Sequence, residues 1–322
     1  MKKLKGAISA LAALSGLIAL LLCSAEALES AKYGLSLCAR VIIPSLFPFF
    51  VVSSLIGGLG LPSYLGRAAA PAMMRLFGVS GEGAAAFVLG VTGGYPLGAS
   101  VVADLVRSGR TTKEDGSRLL CFCNNSGPAF IVGAAGIGVF GSAGTGLLLY
   151  LSHVLAAITV GVLMAGERRA YAPATNSAHI EVLSFSEALP KAVRDSVTGV
   201  LGICGFVVFF TVCVGVLDAS GVFPRAAGEL AVFLGQSLHF TRALLTGLLE
   251  LGSGLGALEG LVAAPLNLAL CSFIIGWGGV SVHLQTAAVV AGTGIKTARH
   301  TVGRLLCGLI SAIYTLALVT LL

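Results

Sequence analysis

The chain has 322 residues, 56% of them hydrophobic and 11% charged, with a mean hydropathy of +0.97 and a formal net charge of +6. So little polar material cannot cover a water-soluble fold, which excludes a soluble catalytic domain and marks a polytopic protein whose partner is the lipid bilayer. The basic residues lie in short loops beside apolar runs, not in one stripe with interleaved aromatics, so they read as orientation signals and not as a nucleic-acid surface.

The first apolar run covers 7–25 behind the basic MKKLK. It has the look of a signal peptide, with Ala25-Glu26-Ala27 at an AxA-like position, but a polytopic chain usually retains its first helix, and a retained helix is the expectation. Further full spans are expected near 34–60, 119–140, 143–165, 196–218, 265–292 and 305–322, each close to the roughly 20 residues a bilayer requires. With the first, that makes about seven spans in an all-α membrane protein. Pro44 and Pro48 most simply kink the second span. Only 167–194 reads as a polar linker, so the chain is one integral membrane domain: an N-terminal helix (1–30), a first repeat and following span (31–165), a cytoplasmic linker (166–195), a second repeat (196–304) and a C-terminal helix (305–322). The eight cysteines fall in or beside apolar runs with no CxxC pair or histidine cluster, so they are expected to pack as small hydrophobes and no metal site is expected.

Two apolar pieces remain, 83–106 and 243–264, and each is either one more span or a re-entrant hairpin. With the N-terminus cytoplasmic and both pieces re-entrant, 16 of the 20 basic residues, Arg304 among them, fall on the cytoplasmic side; with both spanning, the count is 10 on each side. The positive-inside rule therefore favours hairpins. Thr92-Gly93-Gly94-Tyr95-Pro96-Leu97-Gly98 becomes the tip of the first, where glycines permit the turn and Pro96 removes a donor that would need a partner. Such a tip must be buried in protein or line a cavity, because an unpaired backbone group exposed to lipid costs several kcal/mol.

The two halves repeat the same order. SLFPFFVVSSLIGGLG, AAAPAMMRLFG, the TGGYPLG hairpin and a span interrupted by CNNSGP correspond to GFVVFFTVCVGVLDASG, GELAVFLGQ, the ELGSG hairpin and a span interrupted by GWGGVSVH. By charge the hairpins enter from opposite sides. Inverted repeats with paired hairpins and discontinuous helices describe a secondary-transporter core.

These motifs carry a resemblance. IIPSLFPFFVVSSLIGGLG, GGYPLGA and CNNSGPAFIVGAAGIGVFG resemble the sporulation integral membrane protein YlbJ family, also called stage V sporulation protein V, over roughly residues 34 to 300. The resemblance implies a core similar to the gate or nucleoside-recognition fold of concentrative nucleoside transporters. It also implies passage of dipicolinate, a small aromatic dicarboxylate, out of the mother cell across the outer forespore membrane of a spore-forming bacterium. The chain departs from the family pattern after the hairpin glutamate, where Gly252 and Ser253 stand in place of a hydroxyl residue and an asparagine.

The candidate substrate residues are those at the tips and breaks. Thr92, Gly93, Gly94 and Tyr95 form the first tip, and Asn124, Asn125 and Ser126 precede Gly127-Pro128, where amide side chains either repair orphaned backbone or bind a carboxylate and ring nitrogen. Glu250 lies in an apolar run at roughly 2.5–3.5 kcal/mol on insertion scales, so it serves either to couple a proton or sodium ion or to make a structural hydrogen bond. Ser253 follows it. Trp277, Ser281, His283 and Gln285 after the second break offer mixed character for a planar ring, whereas His153 and His283 also fit interhelical hydrogen bonds. Arg40 either snorkels outward or supplies counter-charge to a dianion. Glu259 reads as a polar flank.

No cofactor is expected beyond a coupling ion, and no GxSxG, HExxH or close aspartate pair suggests an enzyme. The expected partners are a small-molecule solute and the bilayer, with a homo-oligomer left open. The alternatives to dipicolinate export are a nucleoside-like or other carboxylate transporter and a non-transporting sporulation membrane scaffold.

Overall fold

A computed structural model describes residues 2–165 and 183–321. Among them the chain is all helix, in chain order α1 (Lys2–Leu22), α2 (Ser24–Leu37), α3 (Ile43–Gly58), α4 (Leu61–Ala72), α5 (Gly83–Gly93), α6 (Leu97–Arg107), α7 (Lys113–Cys123), α8 (Ala143–Leu163), α9 (Phe185–Ala219), α10 (Val222–Leu234), α11 (Leu238–Leu249), α12 (Leu251–Gly256), α13 (Pro265–Trp277), α14 (Gly279–Val289) and α15 (Ala298–Leu321). Three π-helical segments, Cys38–Ile42, Met73–Phe77 and Ala129–Val139, join or follow these helices.

The expected order is present, with shifted boundaries. α1 and α2 meet at a 98° bend at Cys23, and helix then runs from Ser24 through the π turn into α3, so the element expected from 34 begins ten residues earlier. The π turn has a local cause: Pro44 cannot donate to the carbonyl of Arg40, and the ladder shifts so that the Ile43 N–H reaches the Cys38 carbonyl instead. Four described helical stretches are long and apolar enough to cross a bilayer (Ala143–Leu163, Phe185–Ala219, the α13–α14 stretch Pro265–Val289, and Ala298–Leu321), or five if the bent α1–α2 pair is one span. The other expected spans appear as shorter apolar pieces, Leu46–Gly58 and Ala129–Val139, the latter because the chain breaks at Asn124–Pro128. Residues 166–182 of the expected linker lie outside the described residues. Its remainder is helical, because Ser184 and Glu187 form a capping box that starts the 35-residue α9.

Both pieces expected to turn back do so. α5 and α6 pack against each other as antiparallel arms, and Arg110 after the second arm forms an ion pair with Glu82 before the first, so both ends lie together. The second hairpin closes in the same manner: His239 at the start of α11 donates to the Ala257 carbonyl just after α12, at 2.9 Å. α11 enters, the chain turns at Glu250, and the short α12 returns.

The repeat can be followed element by element. α3, α4, the α5–α6 hairpin, the broken α7 with its π-helical continuation, and α8 are matched by α9, α10, the α11–α12 hairpin, the broken α13–α14 pair, and α15. Helices α2, α3 and α9 pack together as one wall, while α7, α8, α13 and α15 form a second layer that holds the two hairpins. Small residues let that second layer close. A Cβ on Gly303 would sit 2.7 Å from the Cys121 Cβ, and one on Gly276 2.5 Å from the Gly308 Cα. All eight cysteines are free thiols, and six of them are buried.

Candidate functional site

The site grows from the two breaks. α7 stops at Cys123 because Asn124 turns extended and Pro128 cannot continue the ladder. The first hairpin straddles that stop so tightly that a Cβ on Gly90 or Gly98 would lie 1.7 or 1.9 Å from the Cys123 carbonyl oxygen. Gly94 at the tip has φ +88°, a conformation that favours glycine, and its missing Cβ faces the backbone of Gly127. Tip one therefore rests on break one.

The second break is wedged between both tips. Gly278 and Gly279 carry φ of +83° and +77°; a Cβ on Gly279 would meet the Leu249 carbonyl and the Glu250 backbone at 3.0 and 3.1 Å, while one on Gly278 would touch the Tyr95 ring. Tyr95 donates its hydroxyl to the Ile275 carbonyl at 3.1 Å, and Trp277 donates its indole N–H to the Leu248 carbonyl at 3.0 Å. Glu250 caps α12: its two oxygens accept from the backbone N–H groups of Gly252 (3.0 Å) and Ser253 (2.5 Å), which places the carboxylate at a helix N-terminus where its charge is favourable. The Ser253 hydroxyl lies 3.2 Å from that of Thr211 on α9.

Between tips, breaks and wall lies a small cavity of about 50 Å³, lined at its polar edges by Tyr95, Ser126, Glu250 and Gln285 and walled by apolar side chains that include Leu46, Phe130, Ile203 and Val207. A second cavity of about 590 Å³ opens beside the first hairpin, with Ser53, Ser100, Asp104, Lys191 and Asp195 on its surface. One apolar cluster separates the two. Leu46, Ile203 and Val207 face the small cavity, whereas Phe50, Leu89 and Leu97 of the same cluster face the large one.

The expected residues are thus brought into one region but play unequal parts. Gly94, Tyr95, Ser126 and Glu250 line the central cavity, as does Gln285. Asn124 and Asn125 are fully buried and already partnered: Asn124 donates to the Thr286 hydroxyl at 2.8 Å and approaches His300 Nε2, and Asn125 donates to the Phe122 carbonyl at 2.6 Å. Gly93 is buried behind the tip, and Ser281 is buried in the first turn of α14. Thr92 is exposed and returns its hydroxyl to the Val88 carbonyl of its own helix. His283 donates to the Gly279 carbonyl and packs between Trp277, tilted against it at a ring distance of 4.2 Å, and His300, edge-on at 5.2 Å. His153 accepts from the Ser126 N–H at 3.2 Å and so repairs the first break. Arg40 is on the exposed side of its π turn, away from the cavity, and Glu259 is exposed at the foot of the second hairpin.

The buried guanidinium is instead that of Arg304, counted above among the cytoplasmic flanking charges. It is fully buried. Nε and Nη2 donate to the Gly276 carbonyl at 2.9 and 2.7 Å, and Nη1 donates to the Asn124 carbonyl at 2.7 Å and the Asn125 side-chain oxygen at 3.0 Å. The Tyr95 ring lies over it, 5.5 Å from centroid to Cζ. A signal for this was present: His300, Gly303, Arg304, Cys307 and Gly308 recur at helical spacing as one polar, small-residue face of an otherwise apolar helix.

No family model matches the chain. It is 31% identical over 317 residues to the sporulation integral membrane protein YlbJ of Bacillus subtilis (strain 168), covering 90% of this chain and 77% of that protein. Among solved structures it is similar to CNTnw, a concentrative nucleoside transporter homologue. A variant of CNTnw in an outward-facing state matches with a TM-score of 0.56 at 14% identity, covering 99% of this chain and 85% of that one. The inward-facing substrate-bound state of CNTnw gives 0.51 at 13% identity, covering 98% and 86%. The chain therefore has a transporter-like membrane fold.

Proposed function

The chain belongs to the family of the sporulation integral membrane protein YlbJ, and from that premise we propose that it transports a small anionic solute, dipicolinate, out of the mother cell across the outer forespore membrane during spore formation. The observation that carries the reading is the convergence of both hairpin tips and both helix breaks on one cavity, with polar groups from each repeat at its edge and apolar walls between them. A scaffold has no need of such a cavity. Alternating access uses it directly: two similar halves exchange conformations and open the same site to either side.

The chemistry suits an anion with a flat ring. Arg304 brings a full positive charge into the core, and its partners are carbonyl and amide oxygens, not a carboxylate. Tyr95 both lies against that charge and lines the cavity, and the negative charge of Glu250 is offset by the α12 N–H groups. Ser126, Gln285 and the Tyr95 face supply hydrogen bonds and stacking for a planar aromatic acid. The cavity of about 50 Å³ is of water size, so substrate entry requires the apolar cluster of Leu46, Phe50 and Leu97 to part and join it to the larger cavity.

The test is a melting-temperature screen of the purified protein against dipicolinate, nucleosides and other small carboxylates. A shift with dipicolinate alone or foremost supports the reading; a shift with nucleosides instead assigns the alternative substrate class, and none with any solute favours the scaffold.

A further inference from the structure

At the ends of broken helices, a transporter's exposed carbonyls carry partial negative charge and are the usual seat of a diffusible coupling cation. Here two such ends face each other. The last turn of α13 presents the Gly276 carbonyl, and the end of α7 presents the Asn124 carbonyl beside the Asn125 amide oxygen. Three oxygens from two helix ends, one in each repeat, converge on the four hydrogen bonds of one guanidinium. Arg304 reaches them from α15, a separate helix, and is held there by close glycine packing of α15 on α7 and α13.

We infer that Arg304 is a tethered cation occupying the place of a coupling ion, so that transport through this chain needs neither sodium nor potassium. The inference rests on the transporter reading above. Three features of the site carry it. The guanidinium fills the oxygen set with good geometry, a second cation beside it would be repelled at short range in a medium of low dielectric, and the charge cannot leave with the substrate because it is covalently part of α15. A free ion would bind and dissociate in each cycle, and so couple the solute to the ion gradient. A tethered one provides the same neutralisation of the helix ends as a constant.

The experiment compares the purified protein in sodium, potassium and N-methylglucamine chloride at equal ionic strength. Wild-type melting temperature is expected to agree across the three salts within about 1 °C, since a cation with no site cannot stabilise the folded state. Arg304→Ala should melt about 5 °C lower or more, and should recover in part with millimolar guanidinium chloride or a small metal cation, but not with N-methylglucamine. A merely structural arginine would give the loss without the rescue. Sodium raising the wild-type melting temperature by several degrees, or saturable binding of labelled sodium by the wild type, would overturn the inference even if Arg304→Ala does not fold. In proteoliposomes, uptake of labelled dipicolinate should be equal with and without an imposed sodium gradient, and sodium-driven uptake would likewise overturn it. Absence of any dipicolinate uptake would count against the substrate proposed above, while the melting and binding measurements would still decide the cation.

Discussion

Tyr95 at the tip of the first hairpin donates its hydroxyl to the carbonyl of Ile275 in the last turn of α13, a bond of 3.1 Å between residues 180 positions apart. It joins the tip of one repeat to the break of the other, and its ring lies over the Arg304 guanidinium that joins the two breaks. Tyr95→Phe keeps the ring and removes only the bond, so it is expected to cost about 1 kcal/mol, whereas Tyr95→Ala also removes the ring and should cost about 3 kcal/mol or more. Unfolding followed by the emission of Trp277, the single tryptophan, which itself sits at the second break, measures both.

Some glycines around the first break must be glycine and others need not be, as Gly98 in the first hairpin and Gly133 in the π-helical segment beyond the break show. A Cβ on Gly98 would collide with the Cys123 carbonyl at 1.9 Å, while one on Gly133 meets nothing within 4 Å. Gly98→Ala should therefore destabilise the protein by about 2 kcal/mol or more and abolish transport, and Gly133→Ala should change stability by less than about 0.5 kcal/mol. Equal behaviour of the two variants in melting and uptake would count against the tight seat of the hairpin on α7.

Asn125 has its side-chain oxygen 3.0 Å from Arg304 Nη1 and its amide nitrogen 2.6 Å from the Phe122 carbonyl. Its removal should weaken the fold before it weakens binding. Asn125→Ala is expected to lose about 1–3 kcal/mol of stability with or without substrate, because it leaves a buried guanidinium N–H short of a partner. Chemical unfolding in the presence and absence of saturating dipicolinate checks this: an equal loss in both conditions is the expected result, and a loss seen only with ligand would return Asn125 to the list of substrate contacts.

Much of the architecture was legible in the sequence because its signals are local. The TGGYPLG and ELGSG tips, the CNNSGP and GWGG breaks, and their matching order in the two halves are all turn chemistry interrupting apolar runs, and the structure has a hairpin or a break at each. Helix lengths were less legible. A π turn before Pro44 and a capping box at Ser184 extend α2–α3 and α9 beyond their apolar stretches. The hardest residues were the arginines. Arg40 and Arg304 both lie near the end of an apolar run, and the one local difference is the small-residue face that Arg304 shares with His300, Gly303, Cys307 and Gly308. Which of the two faces the core is decided by oxygens supplied from Asn124, Asn125 and Gly276, brought together only by folding. For the same reason the sequence leaves Asn124 and Asn125 open between ligand contact and backbone repair, and the fold has them already engaged.

Glu250 separates charge from geometry. Its two oxygens cap Gly252 and Ser253 at the second tip. Glu250→Gln keeps one acceptor and should lose about 1 kcal/mol while preserving a part of transport; Glu250→Ala leaves both N–H groups without their cap and should lose about 2 kcal/mol and all transport. Comparing initial uptake rates of the two variants at matched protein content is the check, and an active Glu250→Ala protein would remove the second tip from the site.

Uptake of labelled dipicolinate into proteoliposomes holding the purified protein tests the central claim most directly. Saturable uptake above that of protein-free vesicles, competed by unlabelled dipicolinate and lost in Gly98→Ala and Glu250→Ala, is the expected result. Uptake no greater than in protein-free vesicles, from wild-type protein that melts cooperatively, would contradict it.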